Sequence, residues 1–197
     1  MPVDTPAVSG VGRFVDTDGR SYAEKPEHLT HLRGSTLVEK THPRILLRGK
    51  LDSCQAKTLE VGILAAKERR QAIVDGLDEI LEYLREILAA EVKEEPLDRT
   101  TLLGMDEAEL RAVSHNPRPH FGIGHIVPNM AMAPCLIGLN ALRTLTRETE
   151  LACVAAFRKE NGSSARPDLV QALNRLSSAI YIMICRECGR NNRKTAR

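Results

Sequence analysis

The chain has 197 residues, 42% of them hydrophobic, and a formal net charge of +2 at pH 7, which suits one sizeable core folded as a single domain. So small a charge, with only 3% aromatic residues, argues against a nucleic-acid or membrane surface, because neither a basic face nor stacking platforms are available. No run of about 18 apolar residues occurs and positions 3–17 are polar and glycine-rich, so neither a membrane span nor a signal peptide is expected and a cytoplasmic location is.

The first ten residues are expected to be disordered, and GRFVDTDGRSY at 12–22 predicts a short hairpin around an Asp-Gly turn. Residues 30–48 pass through Pro43, predicting irregular or extended chain, and carry Lys40 and Arg44 among small polar residues. From 51 to 92 there is no proline. There Ile73, Leu77, Ile80, Leu84 and Ile87 step 4, 3, 4, 3, while Val74, Leu81 and Leu88 repeat every seven. One straight helix of that length would span on the order of 60 Å, too long for a compact domain, so a break near the charged run 67–71 is expected. Glu94, Glu95 and Pro96 close this pair.

A short helix at 106–114 is marked by Asp106 and Glu109, which resemble a capping box. The loop HNPRPHFGIGHIVPNMAMAP then brings His115, His120 and His125. Their spacing matches no metal signature, and exposed loop histidines are the commoner case. Helices at 135–159 and 167–188, joined by NGSSAR, complete the set, and the basic tail is expected to be solvated. The prediction is an all-α bundle of about five helices with a short irregular or β-hairpin N-terminal appendage. It divides as 1–27 appendage, 28–190 helical domain and 191–197 tail.

Cys54, Cys135, Cys153, Cys185 and Cys188 are an odd number, for which reduced thiols are the default. Cys185-Arg-Glu-Cys188 has the spacing of half a metal site, but zinc wants four ligands and no second pair exists, so no metal site is assigned.

Two polar clusters interrupt the apolar helices. In PDLVQALNRLSSAIYIMIC at 167–185, apolar residues surround Gln171, Asn174, Arg175, Ser177 and Ser178. An arginine on a buried helix is costly unless an anionic acceptor meets it. In the preceding helix Asn140, Arg143, Arg147 and Glu150 form one stripe, spaced 3, 4, 3. An ordinary surface pair of Arg147 with Glu150 is the bland alternative. Lys40, Arg44, Arg143, Arg147 and Arg175 would make a cationic cradle whose natural guest is a polyphosphate. No Walker-type Gly-x-x-x-x-Gly-Lys is present, so nucleotide binding would lie outside the P-loop class.

At these residues the chain resembles the ATP:corrinoid adenosyltransferases, in particular the ethanolamine-utilization branch. The resemblance rests on RPDLVQALNRLSSAIYIMI at 166–184, RTLTRETE at 143–150, THLRGSTLVEKTHPRILLRGKLDS at 30–53 and EPLDRTTLLGMDEAELRAVSHNP at 95–117. These segments cover most of 28–185 in the right order, and the propanediol-utilization enzymes look like more distant relatives. The resemblance implies a homotrimer of five-helix bundles with sites between subunits. There cob(I)alamin attacks the 5′ carbon of ATP, with Mg²⁺ and cations on the leaving phosphates.

By the same resemblance, Arg147, Arg175 and Glu150 serve catalysis, and Lys40, Arg44, Arg143, Arg147, Asn174 and Arg175 hold ATP. Asp52 positions its neighbours, and His125 or Phe121 covers the lower face of the corrinoid. Relatives carry a phenylalanine in a Phe-x-Leu-Pro segment where this chain has His125-Ile126-Val127-Pro128, so imidazole coordination or shielding by Phe121 are both open. Glu148 stands where relatives have a second arginine, and Ser178 where they have an aspartate, so both members of a salt bridge are replaced. The implied partners are a reductase and a cobalamin-dependent lyase such as ethanolamine ammonia-lyase, within or beside a bacterial microcompartment. The contrasting expectations are a bundle that delivers corrinoid without turnover, and a plain structural bundle.

Overall fold

The computed structural model describes the backbone of residues 13–195 and the side chains of 13–190. The expected disorder of the first ten residues and solvation of the tail fall outside that range. The described residues form two compact units that divide between Leu46 and Leu47.

In the first unit, β1 (Phe14–Asp16) and β2 (Ser21–Tyr22) are antiparallel, and so are β3 (Leu29–Arg33) and β4 (Thr36–Glu39). β1 also pairs in parallel with β4, giving one sheet in the order β2-β1-β4-β3. The expected hairpin is therefore half of a four-stranded sheet. Its turn is built by Asp16, whose carboxylate accepts from the Asp18 and Arg20 amides and from the Tyr22 hydroxyl, with Gly19 at φ +83°. Lys40, just after the sheet, pairs with Glu27 at 2.7 Å.

The second unit is mostly helical. Helix α1 (Pro43–Lys67) starts earlier than the sequence suggests, because Pro43 sits where a helix needs no N–H and its fixed φ favours the first turn. Leu47, Leu51, Cys54, Thr58, Val61 and Ala65 recur at 4 and 3 residues and are all buried, a single narrow stripe. The chain breaks at 68–70, with Arg69 at φ +54°, and resumes as α2 (Gln71–Lys93). All five residues of the 4, 3, 4, 3 series in α2 are buried at 2% exposure or less. The helix ends on Glu94 in the left-handed region.

A two-stranded ribbon, β5 (Thr101–Leu102) with β6 (Met105–Asp106), leads into α3 (Glu107–His115). There Asp106 and Glu109 form the capping box. After the short α4 (Pro117–Phe121) and a loop, α5 (Pro134–Ala156) and α6 (Pro167–Thr195) make the most extensive helix pair in the protein. The α6 backbone stays helical through Thr195, beyond the end expected for it. Among the described residues, four long and two short helices thus stand where about five were expected. The core runs through all the long helices, and Leu169, Leu173, Leu176, Ala179, Ile180 and Ile182 of α6 are fully buried within it. No helix among the described residues is long and apolar enough to cross a membrane.

Candidate functional site

The groove between α5 and α6 is where the polar stripes meet. Because the stripe on α5 is spaced 3, 4, 3, it keeps to one face, and that face turns toward α6. Asn140, Arg143 and Arg147 of α5, with Ser177, Ser178, Tyr181 and Ile184 of α6, line a cavity of about 330 Å³. Ser114 and His115 of α3 and His125, Ile126, Pro128 and Met132 of the following loop close it.

The Arg143 guanidinium lies over the Tyr181 ring, 5.3 Å from its centroid. Arg147 is exposed, and neither arginine has a carboxylate within ion-pair distance among the described residues. The expected bland pair of Arg147 with Glu150 does not form. Glu150 instead accepts from the Asn174 amide at 2.9 Å, and Asn174 Oδ1 accepts from Arg175 Nη1 at 3.0 Å. The Arg175 Nε is buried with no hydrogen-bond partner. A buried donor left unmet is expensive, so it marks a place where an acceptor is wanted.

His125 is exposed, its Nδ1 lying 3.2 Å from Tyr181 Oη, and the Ile126 N–H donates to the same oxygen at 3.0 Å. The two rings stack with centroids 6.2 Å apart and 19° between planes. Burial raises the Tyr181 phenol above its ordinary range, opposed by the Ile126 N–H and the Arg143 charge. Below it, burial pushes the Cys185 thiol up to about 11, so it stays protonated at neutral pH.

Glu150, Asn174 and Arg175 are joined to one another but do not line this cavity, and the remaining sequence candidates also lie elsewhere. Phe121 lines a separate small cavity with His120, Arg186, Gly189 and Arg190. It packs against Gly189 so closely that a Cβ there would meet the Phe121 carbonyl oxygen at 2.5 Å. Asp52 is exposed on α1. Lys40 and Arg44 belong to the first unit. Glu148 pairs with Lys50 at 2.7 Å. The sequence does not single out Tyr181. It reads as one more apolar position of α6, and the signal for it is its place seven residues after Asn174 and three after Ser178, on the same polar face. No three His, Cys, Asp or Glu side chains among the described residues gather as they would to hold a metal ion.

Residues 22–187 of this chain match the cobalamin adenosyltransferase family, and the chain belongs to that family. Within that family the chain is 37% identical over 161 residues to the corrinoid adenosyltransferase EutT of Salmonella typhimurium, covering 82% of this chain and 59% of the relative. It is 35% identical over 162 residues to the EutT of Escherichia coli K12, with the same two coverages. The chain thus spans a little under three fifths of the length of these curated relatives. No solved structure matches it.

Proposed function

We propose that the chain transfers the 5′-deoxyadenosyl group of ATP to cob(I)alamin. The cobalt(I) electron pair forms the cobalt–carbon bond at C5′ as the C5′–O bond breaks, its electrons leave with the phosphate chain, and cobalt becomes formally cobalt(III). What the protein must supply is charge for the leaving group and a dry face for the corrin. The observation that carries this reading is that Arg143 and Arg147 line a cavity with no carboxylate partner among the described residues, in a chain of this family.

Arg147, in the cavity lining, faces the developing negative charge; Arg175 does not line the cavity, and its contact with ATP rests on the resemblance. Arg143 holds the nucleotide, and Glu150 and Asn174 orient Arg175 through their hydrogen bonds. Mg²⁺ arrives with the triphosphate as part of the substrate. Lys40 and Arg44 as phosphate contacts, Asp52 as a positioning group and Phe121 as a corrinoid contact rest on the resemblance alone. The same holds for the five-helix bundle of 28–190, the homotrimer, the reductase and the supply of ethanolamine ammonia-lyase in the cytoplasm, within or beside a microcompartment. His125, at the cavity edge, is the corrinoid contact with geometric support.

Purified protein supplied with chemically reduced cobalamin, ATP and Mg²⁺ should yield the photolabile spectrum of adenosylcobalamin. Corrinoid binding with no ATP-dependent product would instead mark a non-catalytic delivery protein.

A further inference from the structure

The loop from Gly122 to Ala133 leaves much of its apolar surface open, with Val127 at 80% and Met130 fully exposed. Its internal bonds are local: Ala131 N–H donates to Asn129 Oδ1, and Met132 N–H to the Asn129 carbonyl. Among the described residues, the side-chain hydrogen bonds that fasten this loop to a helix converge on one atom, Tyr181 Oη. It accepts the Ile126 N–H and meets His125 Nδ1. A phenol oxygen has two acceptor sites and one proton, so it serves both contacts in either neutral tautomer of the imidazole. The ring of the same side chain lies under Arg143. One half-buried residue of α6 therefore touches the loop that carries His125 and the cation that faces the cavity.

We infer that Tyr181 is a positioning residue: its hydroxyl holds His125 over the cavity mouth, and its ring sets the plane of the Arg143 guanidinium. The kinetic part of the test rests on the adenosyltransferase reading, while the exchange part does not.

The two functions separate by substitution. Tyr181→Phe removes the hydroxyl and keeps the ring; Tyr181→Leu removes both. In the ligand-free protein, amide hydrogen exchange at Ile126 should quicken about fivefold or more in Tyr181→Phe, as expected for one lost hydrogen bond, with amides of α5 unchanged. With reduced cobalamin and MgATP, Tyr181→Phe should raise the corrinoid KM about five- to tenfold and leave the ATP KM within twofold. Tyr181→Leu should raise both. Unchanged exchange at Ile126, or a fall in kcat with both KM values at the wild-type level, would overturn the positioning role. Wild-type protein that makes no adenosylcobalamin would sink the proposed function, and the exchange comparison would still decide the role of Tyr181.

Discussion

In the turn between α1 and α2, Arg70 donates to Glu68 and to Glu187, and Arg190 takes the other oxygen of Glu187. Glu68 turns its second oxygen to the Cys135 N–H at 2.8 Å, so the network ends on the start of α5, where a carboxylate complements the helix dipole. In the α5/α6 groove Arg143 and Arg147 face a cavity without any such partner among the described residues. The two regions share α5 and α6, yet the guanidinium groups do opposite things. Where each has its carboxylate, charge has been spent on joining elements. Where it has none, the charge remains available to a ligand, and the fold tolerates the exposure because water still reaches it.

The difference is sharpest at Arg147. Arg147→Ala should lower kcat/KM by about 10²- to 10³-fold, the usual loss for one group aimed at developing charge. Its melting temperature should stay within about 2 °C of wild type, because no partner loses a bond. Steady-state kinetics and a thermal melt decide it, and an unchanged kcat/KM would leave the groove without its function.

Arg70→Ala should do the reverse. Glu187 is 8% exposed and Glu68 partly buried, so removing their shared cation should cost about 2–3 kcal/mol. That is a fall of about 5–10 °C in a chain of this size, with both KM values unchanged. A kinetic defect without a melting defect would erase the distinction between the two regions.

Arg166 belongs with Arg70, since it donates to Asp168, to the Ala90 carbonyl in the last turn of α2 and to the Glu95 carbonyl just past it. Burial raises the Asp168 carboxyl, but the hydrogen bonds and charge of Arg166 outweigh it and hold the group below its usual 3.8. The stability it contributes is therefore fully present above the unfolded value near pH 4 and is lost as pH falls through the folded one. Asp168→Asn should cost about 1.5 kcal/mol at pH 7 and flatten the acid limb of a stability profile below pH 4.

Much of this is legible in the sequence. The 4, 3, 4, 3 series of α2, the Asp106–Glu109 cap and the 3, 4, 3 stripe of α5 are short-range patterns set by helix geometry, and each survived packing. The β1–β4 pairing joins strands more than twenty residues apart, which no local period records. Pro43 signals both a break and a helix start, and its neighbours did not choose between them. Tyr181 was hidden for a different reason: its ring satisfies the apolar pattern of α6, while its function lies in a hydroxyl that only the fold brings to Ile126.

Arg175 falls between the two kinds of arginine, and the smallest expected effect concerns it. Its Nη1 is held by Asn174, itself held by Glu150, while its Nε is buried and unmet. If the chain from Glu150 serves to aim that guanidinium, Asn174→Ala should weaken ATP binding about fivefold, near the value of one hydrogen bond, and shift the melting temperature by less than about 3 °C. Double-mutant analysis with Glu150→Gln should then show effects that do not add, because both changes release the same arginine. Additive effects on the ATP KM would place Asn174 on the nucleotide directly and move Arg175 to the structural side, with Arg70 and Arg166.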